Sequence, residues 1–196
     1  MANVLLASSS PRRQELMQLL DIAFEIVVKP IEEKIEEDLS PAENVKYLAF
    51  KKAAAVAQDY PEALVIGCDT VVVLNDRIIG KPKNPEDAKR ILKALSGKAH
   101  YVCTGVAIIN IKEKLEICFC ETTNVKMKDL TTDEIDDYIA TDEPLDKAGA
   151  YGIQGKGAIY IEQISGDYYN VVGLPLNRLY KELIKLNTYQ RIKDKL

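Results

Sequence analysis

Short apolar runs of the kind that bury as strands alternate along this chain with stretches whose apolar residues recur three or four positions apart, as on one face of a helix. Val4, Leu5, Leu6 and Ala7 form the first run, and Leu16, Leu19 and Leu20 the first helical repeat, with "SSSPRR" filling the turn between them. Residues 24–28 predict a second strand. In "SPAENVKYLAFKKAAAVAQDY" the order Ser40, Pro41 and Glu43 predicts a capping box ahead of a long helix that Pro61 terminates. "EALVIGCDTVVVLNDRII" predicts a buried strand entering a hairpin that turns near Asn75 and Asp76. A helix opening at Asn84 and Pro85 and closing at Ser96 and Gly97 follows. Two long strands, 101–110 and 115–126, then turn on the charged "KEK" segment. Thr131 and Glu134 form a second capping box before Ile135, Tyr138 and Ile139. "AIYIEQI" predicts a strand, residues 176–186 the last helix, and the "RIKDKL" tail a solvated end.

This order predicts a mixed α/β fold with antiparallel strands paired in its middle rather than a regular doubly wound repeat. No internal repeat or linker divides residues 1–196, which read as a single domain with two lobes around a cleft. The hydrophobic fraction of 47% and charged fraction of 29% are those of a soluble globular protein. With 30 acidic against 26 basic residues the net charge is −4, which excludes a broad basic footprint for nucleic acid and leaves small polyanions as partners. Cys68, Cys103, Cys118 and Cys120 fall in apolar strand-like runs without C-x-x-C spacing and read as reduced core thiols, a Cys118/Cys120 metal pair being the other option. No apolar run is long enough to span a membrane and no secretion signal opens the chain, so the expected location is cytoplasmic.

The single histidine, His100, leaves no second imidazole for a histidine-rich zinc site, and no nucleophile elbow or Walker-type loop is present. Chemistry then falls to carboxylates, cations and a metal. Ser10 at a helix N-cap and Pro11 at its first position would leave backbone donors pointing outward, with Arg12 and Arg13 beside them, an arrangement suited to a phosphoryl group. An ordinary Ser-Pro helix start with two solvated arginines is the alternative. Asp69 interrupts the apolar run "LVIGCDTVVV", where an acid is costly unless paired, hydrogen-bonded or metal-bound; a strand-end aspartate capping a turn is the plainer reading. Glu32 or Glu33 could join it as an oxygen ligand for Mg²⁺, and Lys52 and Lys81 add cations that, singly, read as surface lysines. Gly149, Gly152, Gly155 and Gly157 allow close backbone approach to a ligand, Gln154 offers both an amide donor and an acceptor, and Ala148, Ala150, Tyr151 and Ile153 are apolar enough for a pocket wall.

Taken in order, "ASSSPRR", "GCDTVV", "GKP", "LSGKAHYVCTGVAI", "EPLDKAGAYGIQG" and "VVGLPL" closely resemble the Maf family of nucleotide pyrophosphatases over nearly the whole chain. The resemblance implies an elongated mixed sheet with flanking helices, two lobes around a cleft, and an inosine triphosphate pyrophosphatase-like fold. It implies hydrolysis of a nucleoside triphosphate to the monophosphate and pyrophosphate with a divalent cation, Mg²⁺ or Mn²⁺. Asp69 matches the catalytic acid; Ser8, Arg12, Arg13, Lys52 and Lys81 match phosphate-binding positions; Glu33 and Asp69 match the metal-holding pair. Cys68 stands where alanine is commoner in the family, a change that a small buried site tolerates. Arg12, Thr70 and Gln154 match positions linked to base selection, and "AGAYGIQG" resembles the branch acting on dTTP and UTP, with modified pyrimidine nucleotides as further substrates. A homodimer is compatible with this resemblance, as is a role in septum formation, under which the chain would be a nucleotide-binding regulator with little catalysis.

Overall fold

The computed structural model describes residues 4–186, and the "RIKDKL" tail lies outside them. Strand β1 (Val4–Ala7) leads through helix α1 (Pro11–Gln18) to strand β2 (Phe24–Ile26), and helix α2 (Pro41–Ala57) leads to strand β3 (Leu64–Leu74). β3 turns into β4 (Arg77–Ile79), followed by α3 (Pro85–Leu95), the long pair β5 (Ala99–Asn110) and β6 (Leu115–Met127), and α4 (Thr132–Ile139). Three short 3₁₀ turns, Glu143–Asp146, Ala148–Ala150 and Gly155–Tyr160, precede β7 (Ile161–Ser165), α5 (Tyr168–Val172) and α6 (Leu176–Lys185). The strands form a seven-stranded mixed sheet in the order β2-β1-β3-β5-β6-β7, with β4 pairing β3. β1 runs parallel to both β2 and β3, the helical crossovers supplying the length a parallel connection needs, while β4 and β7 pair antiparallel.

Most of these elements start where their sequence signals stand. Ser40 and Glu43 satisfy each other's backbone donors in a complete capping box, as do Thr131 and Glu134, and Asn84 caps α3 through Asp87 N–H. Asn75 and Asp76 both take positive φ, 50° and 60°, as a two-residue hairpin turn between β3 and β4 requires. Four expectations differ. β2 ends at Ile26 rather than at Val28. α1 stops at Gln18, so Leu19 stands 63% exposed and Met17 fills the apolar face instead. Residues 158–160 of "AIYIEQI" belong to a 3₁₀ turn, and the strand starts only at Ile161. All four cysteines are free thiols on strands, but only Cys68 and Cys103 are buried; the two-residue period of β6 turns Cys118 to solvent and leaves Cys120 half-buried.

Residues 4–186 form two compact units. The first comprises the chain up to Asp69, Thr104–Glu121 and the chain from Gly173; the second comprises Thr70–Cys103 and Thr122–Val172. In the first, Leu5, Ala7 and Val65 pack with Ala49, Ala53, Val56 and Ala57 of α2. The alanines allow α2 to lie so close to β3 that a Cβ on Gly67 would overlap the Ala49 carbonyl oxygen and Ala53. In the second, Ile91, Leu92 and Leu95 of α3 and Ile135 and Tyr138 of α4 enclose Val102, Val125, Met127, Ala150, Tyr151 and Tyr160. Buried within that second core, His100 Nε2 lies 2.6 Å from the Tyr151 hydroxyl. Among the described residues no helix is long and apolar enough to cross a membrane.

Two stability effects follow. Gly67→Ala must push α2 from β3 and lowers stability by about 1–3 kcal/mol, read as a lower urea midpoint. Burial pushes the His100 imidazole down to about 4, so on acidification the unfolded chain takes up this proton before the native one. Stability therefore falls as pH drops from 6.5 to about 4, and His100→Gln removes that portion of the pH dependence of the urea midpoint.

Candidate active site

The first unit gathers Ser8, Arg13, Glu33, Lys52 and Asp69 around the end of β1 and the middle of β3. Parallel pairing of β1 with β3 ends at Ala7↔Gly67, so the turn after β1 leaves the sheet beside the residues that carry β3 on to Asp69. Asp69 is 7% exposed. Its Oδ1 accepts a hydrogen bond from Lys52 Nζ at 2.7 Å, and the same ammonium lies 3.0 Å from Glu33 Oε2. Lys52 reaches this position because it follows Ala49 on the stretch of α2 that packs against Gly67. The loop bearing Glu33 is tied to α2 at two places: Lys51 Nζ donates to the Glu32 carbonyl at 2.9 Å, and the buried Asn44 side chain bonds both the N–H and the carbonyl of Glu36.

Arg13 binds the opposite side of the turn. Its Nε donates to the Gly173 carbonyl at 2.8 Å, and its Nη1 donates to the Cys68 carbonyl at 2.9 Å and to Ser8 Oγ at 3.2 Å. Ser8 Oγ also accepts from Ser10 N–H at 3.3 Å. Ser10 does occupy the N-cap of α1 with Pro11 following, but its own side chain makes no cap hydrogen bond, and the first turn holds no acidic residue. The helix start therefore keeps its positive end uncompensated by a carboxylate of that turn. Arg12 is half-buried in the same turn. Burial pushes the adjacent Cys68 thiol up to about 11, so it stays protonated and inert at neutral pH.

Lys81, Thr70 and Gln154 belong to the second unit. Thr70 follows Asp69 on β3 and is half-buried. Lys81 is exposed, beside the buried Pro82, and the neighbouring Gly80 carbonyl accepts from Gly149 N–H at 3.0 Å. Open space surrounds Gly80 itself, so Pro82 and this hydrogen bond, rather than the absence of a side chain at Gly80, hold the loop. The glycine-rich segment also differs from expectation. The space beside its glycines is taken by the protein's own side chains, Val72 by Gly149, Lys147 by Gly152, Glu143 by Gly155 and Tyr138 by Gly157. Ala150 and Tyr151, expected in a pocket wall, belong to the core.

Two hard oxygen donors, Asp69 and Glu33, converge on one cation, here the Lys52 ammonium. That donor set and charge suit a divalent cation of the Mg²⁺ type, which takes one or two carboxylates together with substrate phosphates. Sequence reasoning missed the roles of Tyr138, Glu143 and the Gly173 carbonyl, since no motif spacing reveals hydrogen bonds between distant segments; the available signals were Glu143 in "EPLDKAGAYGIQG", Gly173 in "VVGLPL" and Tyr138 only as an apolar position of α4.

Comparison with known proteins adds to this geometry. The family model described as Maf-like protein matches residues 3–186. The dTTP/UTP pyrophosphatase of Bacillus cytotoxicus is 55% identical over 183 residues, 93% of this chain and 95% of that protein. The dTTP/UTP pyrophosphatase of a Geobacillus species is 52% identical over 186 residues, 95% of this chain and 99% of that protein. Among solved structures, the Ham1 protein of Staphylococcus aureus is similar in fold, with a TM-score of 0.53 at 18% identity, covering 93% of this chain and 98% of that one.

Arg13→Lys is expected to cost about 1.5–3 kcal/mol, because an ammonium cannot serve the Gly173 and Cys68 carbonyls and Ser8 together, and a urea titration of the variant measures it.

Proposed function

This chain belongs to the Maf-like protein family, and on that premise we propose that it hydrolyses dTTP and UTP to the monophosphate and pyrophosphate. The observation that carries the chemistry is the buried Asp69 carboxylate, held with Glu33 on a single ammonium and bordered by a cationic helix start. Such a site has an acid to handle a water, oxygen ligands for a cation, and positive charge for a triphosphate.

In this reading Asp69 orients a water and takes its proton as the water oxygen attacks the α-phosphorus. The bond from that phosphorus to the bridging oxygen breaks, and pyrophosphate leaves with the electron pair. Ser8, Arg12, Arg13, Lys52 and Lys81 bind the triphosphate and offset the charge that builds on its oxygens. For Arg13 the contribution is in part indirect, since its Nε and Nη1 already bind the protein. Asp69 and Glu33 would hold the divalent cation, Mg²⁺ or Mn²⁺, whose chemistry is polarisation of phosphate oxygens and acidification of bound water.

Base selection falls to Arg12, Thr70 and Gln154. Thymine and uracil present an N3–H donor flanked by carbonyl acceptors, which one primary amide pairs at donor and acceptor together; cytosine reverses the pattern at N3 and N4. A pocket made for that edge rejects cytosine, because its own polar groups would be left unpaired. Pyrimidines modified away from this edge keep the pattern and extend the substrate range. We place the activity in the cytoplasm, with nucleoside triphosphates rather than nucleic acid as substrate. Every residue assigned here comes from one chain, so a homodimer would carry two such sites.

The test is release of pyrophosphate and orthophosphate from dTTP, UTP, CTP, dCTP, ATP and GTP, with Mg²⁺ or chelator, by wild type and Asp69→Asn. Fast pyrophosphate release is expected from dTTP and UTP and only slow release from the other nucleotides, lost with chelator and reduced below about a tenth in the variant. Orthophosphate as the product would point instead to a phosphomonoesterase, and tight nucleotide binding without turnover to a regulator.

A further inference from the structure

A hydrogen-bonding base reader discriminates only when its amide is held in place, since a displacement of about an ångström can cost a hundredfold in rate. Gln154 stands at the N-cap of the 3₁₀ turn Gly155–Tyr160, yet its side chain makes no cap hydrogen bond. The donors of that turn are satisfied from elsewhere. Glu143 Oε2 accepts from Lys156 N–H at 2.9 Å and Oε1 from Gly157 N–H at 3.2 Å. Glu143 thus caps the turn in place of the residue at the cap position, and the Gln154 side chain takes no part in that cap.

The same carboxylate reaches the other side of Gln154. Tyr138 donates its hydroxyl hydrogen to Glu143 Oε1 at 2.9 Å, and the hydroxyl oxygen accepts from Gly152 N–H at 3.1 Å. One carboxylate and one phenol therefore hold the backbone both before and after Gln154. Gly155, at φ +75°, admits the carboxylate, which a Cβ there would meet. Lys147 Nζ donates to the Glu143 carbonyl at 2.6 Å and fixes the start of the segment. Although partial burial works against its charge, the Lys156 N–H, the Tyr138 hydroxyl and the Gly157 N–H hold the Glu143 carboxyl below its ordinary range, so it remains an acceptor at neutral pH.

We infer that Glu143 and Tyr138 are positioning residues for base selection, holding Gln154 so that its amide meets one edge of the pyrimidine. The inference rests on the reading of Gln154 given above. It separates from a merely structural role because displacement of the amide changes the preference between bases, whereas partial loss of fold lowers the turnover of every nucleotide alike.

Steady-state hydrolysis of UTP and CTP is measured on the full chain for wild type, Tyr138→Phe, Glu143→Gln, Gln154→Ala and the double variant Glu143→Gln/Gln154→Ala. Tyr138→Phe removes only a hydroxyl, and Glu143→Gln keeps the side-chain shape. Each is expected to lower the UTP-to-CTP ratio of kcat/KM by about tenfold, chiefly through a raised KM for UTP. Gln154→Ala lowers the ratio at least as far, and adding Glu143→Gln to it changes the ratio no further, within about twofold. A parallel fall for UTP and CTP with the ratio unmoved, or a further loss in the double variant, overturns the inference while leaving the role of Gln154 intact. A wild-type ratio in Gln154→Ala overturns that role and the inference together.

Discussion

A carboxylate in the middle of an apolar strand is the constraint around which the first unit is organised. Asp69 is buried, and a buried charge without a partner is costly enough that its surroundings must supply a cation. That cation is Lys52, and its delivery depends on how closely α2 lies on β3. The small residues at that contact, Gly67 on the strand and Ala49 and Ala53 on the helix, set the distance. Packing of methyl groups and electrostatics of the site are thus one arrangement. The alanines on either side of Lys52 are what permit the ion pair, and the Glu33 loop, held by Asn44 and Lys51, adds the second carboxylate.

Arg13 has an analogous role beside the same stretch of β3. Its planar fork joins three segments distant in sequence: the turn at Ser8, the carbonyl before Asp69, and the Gly173 loop that leads into α6. Arg13 spends donors on backbone and so fixes the turn that would meet a phosphate, a form of preorganisation that lowers what ligand binding must order.

The second unit solves a different problem, the presentation of a neutral amide. Its glycines admit the protein's own side chains, so a segment that looks flexible from its composition is closely packed. The carboxylate of Glu143 and the hydroxyl of Tyr138 satisfy backbone donors on both sides of Gln154, and the buried His100 and Tyr151 hold the preceding residues to β5. Buried polar networks of this sort are favourable only when their members are paired, and the pairing is what confers rigidity.

The sequence by itself determined the elements and their limits wherever the signal was local: capping boxes at Ser40 and Thr131, the Asn75–Asp76 turn, the apolar period of each long strand. Local chemistry of that kind is written within a few residues, so a single segment carries it. The motif order also sufficed for the family. Only the tertiary structure decided which residues meet: that Lys52 bridges Asp69 and Glu33, that Arg13 turns toward Gly173 and Cys68, that Glu143 caps a turn beginning twelve residues later, and that Cys118 faces water. Those facts depend on pairing register and on the close approach of segments far apart in the chain, neither of which leaves a periodic mark in the sequence.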